Sequence, residues 1–143
     1  MPAQDNKALW EPWLELWNGN LAVADEIITP DFVAHFAPMG YSPDEVRGPE
    51  GLKQWIGGAL AAFTDYGFRT TVGPLADEDM VAGRWVFRGI YSGGIPGAPP
   101  TAIGKRVEYA GIDIFRAESE KIAEYWLCAD ILQMLEQVGA IPS

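Results

Sequence analysis

Between Phe68 and Asp130 the chain runs through four strand-like segments, and the last three are apolar on both faces. The segments cover residues 68–76, 80–91, about 105–116 and about 121–130. Asp77-Glu78-Asp79 and Glu118-Ser119-Glu120 are the tight turns, and a glycine- and proline-rich loop runs from Ser92 to Gly104. This spacing predicts consecutive antiparallel strands. A sheet apolar on both sides must be covered on both sides, so it cannot stand as a simple one-faced layer.

The N-terminal half reads differently. Leu9-Trp10, Trp13-Leu14 and Leu16-Trp17 recur at helical spacing, which predicts a helix over 7–18 closed by Asn18-Gly19-Asn20. Pro12 is tolerable only in the first turn of such a helix. A short helix is expected over 20–28, with Leu21, Ala24 and Ile28 facing the core, and an extended segment over Asp31–Phe36. Gly48-Pro49 opens a third helix, roughly 49–64, whose apolar face carries Leu52, Trp55, Ile56, Leu60 and Phe63. Helices followed by a run of strands predict an α+β fold, a strongly curved sheet with helices packed against one face. Ile131–Val138 reads as a closing helix.

Side chains alternate across a strand, so parity sorts them. One set holds Val81, Gly83, Trp85, Phe87, Gly89 and Tyr91, and another Val107, Tyr109, Gly111, Asp113 and Phe115. In the last strand Ile122, Glu124, Trp126, Cys128 and Asp130 share a face. If these sets face the helices, Asp113 and Asp130 meet in one concavity walled by Trp85, Trp126, Tyr109, Tyr91 and Phe87. An ionised carboxylate is costly to bury among aromatic rings, and it must be paired, hydrogen-bonded or held with a raised pKa. The last of these provides a proton-transfer group that works near neutral pH. Asp130 has a competing role as N-cap of the closing helix. The opposite faces, with Val86, Ile90, Ile112, Ile114, Tyr125 and Leu127, form a second apolar surface. No helix remains to cover it, so a homodimer is expected.

At 143 residues the chain is expected to be one domain spanning 1–143. Its net charge of −10 argues against nucleic acid and anionic membranes. The acidity is dispersed and reads as a solubilising surface. The single cysteine, Cys128, excludes an intrachain disulfide, and its expected role is a small core residue. No metal-ligand spacing, phosphate-binding loop or nucleophile elbow is present. With no secretory pattern and no apolar stretch of membrane-spanning length, the expected location is cytoplasmic.

Several motifs, taken in order, resemble the SnoaL-like polyketide cyclases, a branch of the cone-shaped α+β fold typified by nuclear transport factor 2. They are Trp17-Asn18-Gly19-Asn20, Pro30-Asp31-Phe32-Val33-Ala34-His35, Gly48-Pro49-Glu50-Gly51 and Gly89-Ile90-Tyr91-Ser92-Gly93. Further along come Pro99-Pro100-Thr101, Gly104-Lys105-Arg106-Val107, Gly111-Ile112-Asp113-Ile114-Phe115-Arg116, Lys121-Ile122-Ala123-Glu124-Tyr125-Trp126 and Asp130. The resemblance implies ring closure of a polyketide by an intramolecular aldol step without a cofactor. It implies an aspartate as acid/base, Asp130 by position, and an assisting histidine, for which His35 is the single candidate. The Arg-x-Asp pair of limonene-epoxide-hydrolase-like members is absent. The expectation is therefore acid/base catalysis, by cyclisation or isomerisation, on a hydrophobic carbonyl compound. Asp130 would be the catalytic group, aided by Asp113 and His35. The rival reading is a non-catalytic small-molecule-binding module of the same fold, since this fold hosts many functions.

Overall fold

A computed structural model of the chain describes residues 3–35 and 46–142. The elements are α1 (Ala3–Lys7), α2 (Trp10–Trp17), a 3-10 turn at Leu21–Val23, α3 (Ala24–Ile27), β1 (Ile28–His35) and α4 (Gly48–Leu60). They continue with β2 (Phe63–Asp77), β3 (Met80–Tyr91), a 3-10 turn at Pro100–Ala102, β4 (Arg106–Glu118), β5 (Lys121–Ala129) and α5 (Ile131–Gln137). The end of the expected extended segment, Phe36, and the lead-in to α4 at Asp44 and Glu45 lie outside the described residues.

Proline explains where the first helix differs from expectation. The chain breaks at Ala8-Leu9 and restarts at Trp10, so Pro12 sits in the first turn of α2. There its missing N–H is one that no intrahelical carbonyl would have received. Trp13 N–H, the next donor, reaches Leu9 O at 3.0 Å. The apolar stripe then buries Trp10, Trp13, Leu14, Leu16 and Trp17. Phe63, expected on the third helix, instead begins β2 and pairs with Tyr91, which gives β3 a partner along its whole length.

The five strands form one sheet in the order β1-β5-β4-β3-β2. The pairs β2–β3, β3–β4 and β4–β5 are antiparallel, and β1 joins β5 in parallel. Shifts of register interrupt β2 at three places and β5 at one, and such bulges bend and twist a sheet. On β3 and β4 the faces follow parity as expected: Val81, Trp85, Phe87, Tyr91, Val107, Asp113 and Phe115 are all buried beneath the helices. On β5 they do not. Ile122 pairs with Ala117 and Glu124 with Arg116, so Ala123 is an extra residue and the alternation reverses. Tyr125 is turned inward and fully buried, while Trp126 is turned outward and Cys128 is exposed.

Two glycines make room for buried indole rings. A Cβ on Gly83 would stand 2.5 Å from the Trp10 ring, and one on Gly111 would stand 2.3 Å from the Trp85 ring. Both indoles therefore lie flat on bare backbone, where any side chain would collide. Two amide side chains then clamp backbone that no strand pairs. Asn18 Nδ2 donates to Phe68 O (3.3 Å) and Phe68 N–H donates to Asn18 Oδ1 (2.7 Å), on the edge strand β2. Gln137 Nε2 donates to Glu108 O (2.7 Å) and Glu108 N–H donates to Gln137 Oε1 (2.9 Å), where β5 has already ended. Satisfying these groups pins α2 and α5 to the sheet.

Candidate active site

Between the helices and the inner face of the sheet lies a cavity of about 310 Å³. That volume is at the small end of the range for small-molecule sites. Trp17 of α2, Trp55 and Leu60 of α4, and Ile131 and Met134 of α5 line one side. Phe68, Trp85, Tyr109, Asp113, Tyr125 and Leu127 line the sheet side. The rings pack edge to face: Trp17 on Trp55 (5.2 Å) and on Phe68 (5.7 Å), and Phe68 on Trp85 (5.0 Å). The glycine- and proline-rich Ser92–Gly104 loop contributes no lining residue among those described.

Among the described residues Asp113 is the one carboxylate lining this cavity, and it is 3% exposed. Two elements far apart in sequence hold it. Trp13 Nε1 donates to Oδ2 at 3.0 Å, and Tyr125 Oη donates to Oδ1 at 2.8 Å. The Trp85 indole N–H lies close enough to help but makes no hydrogen bond of normal geometry. Burial pushes the carboxyl from 3.8 up to about 6, and the donors from Trp13, Trp85 and Tyr125 keep it from rising further. Tyr125 is itself pushed well above its ordinary value, first by burial and then by the Asp113 charge, so it stays a hydrogen-bond donor. Tyr109 is likewise raised by burial and by Asp113.

The other expected site residues lie elsewhere. Asp130 is exposed and accepts from Gln133 N–H at 3.2 Å, which makes it the N-cap of α5; it does not line the cavity. The bulge at Ala123 is the reason: the reversed alternation turns Asp130 away and brings Ala129 in. His35 also stands outside the cavity lining. Its Nε2 is 2.7 Å from Glu124 Oε2, and its ring stacks on Trp126 at 5.4 Å. Arg116 completes the cluster, with Nε donating to Glu124 Oε1 at 3.0 Å. Burial would raise the Glu124 pKa, but hydrogen bonds from Arg116 and His35 outweigh it and hold it low. Trp126 therefore belongs to this outer cluster. Phe87 and Tyr91 are buried one layer behind the cavity, Phe87 under Tyr109 (5.0 Å) and Phe68 (5.1 Å), Tyr91 with its hydroxyl accepting from Ile95 N–H (3.0 Å). Of the expected site residues, Asp113, Trp85 and Tyr109 come together.

Trp13, Trp17, Trp55 and Tyr125 were not among the expected site residues. Tyr125 carried a signal: Tyr125, Leu127 and Ala129 are free of charge, whereas the alternate set contains Glu124 and Asp130. A bulge that buries the uncharged set is the cheaper arrangement.

The sequence profile of the SnoaL-like polyketide cyclases matches residues 7–138. The chain belongs to that family. Among solved structures it is similar to IdmH from Streptomyces antibioticus, a proposed polyketide cyclase, at 28% identity. That match covers 97% of this chain and 99% of the other, with a TM-score of 0.77. It is similar also to TsrD from Streptomyces laurentii, at 25% identity over 99% of both chains and a TM-score of 0.79. AclR from Streptomyces galilaeus, a proposed hydroxylase, shares the fold at 24% identity, over 99% of this chain and 85% of its own, with a TM-score of 0.80. No match was found among curated proteins. The fold of this family member is the nuclear transport factor 2-like α+β fold, with its curved five-stranded sheet and N-terminal helices. No described helix is long and apolar enough to cross a membrane.

Proposed function

We propose that this SnoaL-like protein catalyses proton transfer on a hydrophobic, carbonyl-containing small molecule, with Asp113 as the acid/base. The family suggests aldol-type closure of a polyketide-like chain as the reaction. One observation carries the reading: a carboxyl raised to about 6 lines an aromatic cavity, with its orientation held by Trp13 and Tyr125. A base whose pKa lies near the working pH is still ionised at neutrality and strong enough to take an acidic C–H proton. The same group, once protonated, returns that proton to carbon or oxygen. Asp130 and His35, outside the cavity, have no part in this step.

The test uses 2-tetralone, a bicyclic ketone with an acidic C–H next to its carbonyl, and follows deuterium uptake by NMR in heavy water. Exchange is expected to rise with pH through about 6, as Asp113 ionises, and to level off above it. Asp130→Ala is expected to leave exchange unchanged while costing about 0.5–2 kcal/mol of stability through the lost cap. A rate that is independent of the protein would leave only the binding-module reading.

We propose further that two copies pair through the outer face of the sheet. A row of aligned residues crosses all five strands there: Leu75, Ala82, Ile114, Trp126 and His35. Leu75 is 64% exposed and Ile112, beside the row, 47%. Contiguous apolar surface of this kind marks an interaction site. Sedimentation is expected to give a dimer for the native chain and a monomer for Ile114→Asp; a native monomer refutes the pairing. The exposed, unpaired Cys128 suits a reducing compartment, and we place the protein in the cytoplasm on that ground.

A further inference from the structure

From the cavity's polar inventory we infer that Tyr109 is a second catalytic residue, whose hydroxyl donates to the substrate's carbonyl oxygen while Asp113 takes the neighbouring C–H proton. The inference rests on the acid–base reading above and specifies its ligand: a flat aromatic molecule with an acceptor oxygen beside an acidic carbon.

When the C–H bond breaks, its electron pair becomes the new C=C bond and the carbonyl π pair moves onto oxygen. The proton goes to Asp113. The oxygen then carries developing negative charge inside an apolar site, where an unmatched charge is expensive. No lysine, arginine or histidine lines the cavity among the described residues, so N–H and O–H dipoles must meet it.

Several of those dipoles are already committed or sealed off. Tyr125 Oη and Trp13 Nε1 donate to Asp113. Trp17 Nε1 and Trp85 Nε1 make no hydrogen bond of normal geometry, and both atoms are sealed beneath neighbouring atoms and do not reach open space. Tyr109 differs from all of these. It lines the cavity, and its hydroxyl bonds to no described residue and is not sealed.

Its placement is rigid. Tyr109 and Asp113 share the inner face of β4 with Gly111 between them, and the bare Gly111 lets the Trp85 ring lie in the gap. The Tyr109 ring is held against Phe87 (5.0 Å) and Trp85 (5.8 Å). The Gln137 clamp on Glu108 fixes the backbone one residue away. Burial and the Asp113 charge keep the phenol protonated, so it donates a hydrogen bond and does not lose its proton.

The experiment compares two probes, 2-naphthol, whose oxygen and ring imitate the enol of 2-tetralone, and naphthalene, which lacks the oxygen. The native protein is expected to prefer 2-naphthol, and Tyr109→Phe to lose that preference by roughly tenfold while binding naphthalene unchanged. Tetralone exchange in Tyr109→Phe should fall roughly a hundredfold, mostly in kcat, with the midpoint near pH 6 retained. Equal binding of the two probes by the native protein overturns the inference without needing any variant. So does a Tyr109→Phe protein that keeps the native preference and rate. Neither result bears on Asp113, whose role stands or falls on exchange in Asp113→Asn.

Discussion

Asp113→Asn is expected to lower proton transfer to 2-tetralone by about 100- to 10,000-fold and, at the same time, to make the protein harder to unfold at pH 8. The two effects share one cause. The asparagine amide fits the same hydrogen bonds: its Oδ1 accepts from Trp13 Nε1, and its Nδ2 donates to Tyr125 Oη, which rotates to accept. Only the ionisable group is lost. In the folded native protein that group has been moved from 3.8 to about 6, chiefly by burial. Below about pH 3.8 it is protonated in the folded and the unfolded chain alike and costs nothing. Between 3.8 and about 6 the unfolded chain ionises first, and native stability falls as pH rises. Above about 6 the penalty is constant, on the order of 3 kcal/mol. Urea unfolding should therefore show Asp113→Asn more stable than the native chain at pH 8, with the advantage shrinking toward zero near pH 4. A variant equally destabilised at both pH values would mean that Asp113 is there to hold Trp13 and Tyr125, and that its ionisation is incidental. A stability cost retained in the native chain at neutral pH is what an active-site carboxyl, rather than a structural one, is expected to carry.

Trp13 is the second position where a large effect is expected. The side chain is fully buried, packs edge to face on Tyr125 at 4.7 Å and tilted on Phe115 at 5.7 Å, and donates to Asp113. Trp13→Ala removes the indole from the centre of the core and should cost about 3–5 kcal/mol. Trp13→Phe separates packing from electrostatics. It keeps a ring against Tyr125 and Phe115 but takes away a donor that holds the Asp113 pKa down. With that donor gone, the midpoint of the tetralone exchange profile should move to higher pH. Activity at pH 6 should fall while the alkaline plateau is largely kept. A midpoint that does not move would show that the Trp13 N–H is structural and that Asp113 is tuned by burial, Trp85 and Tyr125.

Much of this architecture can be read from residue order because it depends on local rules. The turn residues at 77–79 and 118–120 and the alternation between them place β3 and β4, and parity alone puts Asp113, Trp85 and Tyr109 on one inner face. The helix-stripe spacing likewise buries Trp10, Trp13 and Trp17 together. What escaped were the places where distant contacts choose between local options of similar cost. The restart of the helix at Trp10 is not one of them, because Pro12 is tolerated in the first turn of α2 and not in the interior of a helix begun at residue 7.

The last strand shows the same limit most sharply. Its sequence allows either parity, and inserting Ala123 opposite the β4 register buries Ile122 and Tyr125 together. That single extra residue puts Tyr125 on Asp113, sends Trp126 out to stack on His35, and leaves Asp130 free to cap α5. From the sequence alone came the α+β class, the strand faces of β3 and β4, and a sheltered carboxylate at 113. Which second side chain would hold that carboxylate was decided only when strands and helices packed. Register is a property of the paired strands: a shift of one residue reverses every side chain beyond it, at a local cost the chain by itself does not reveal.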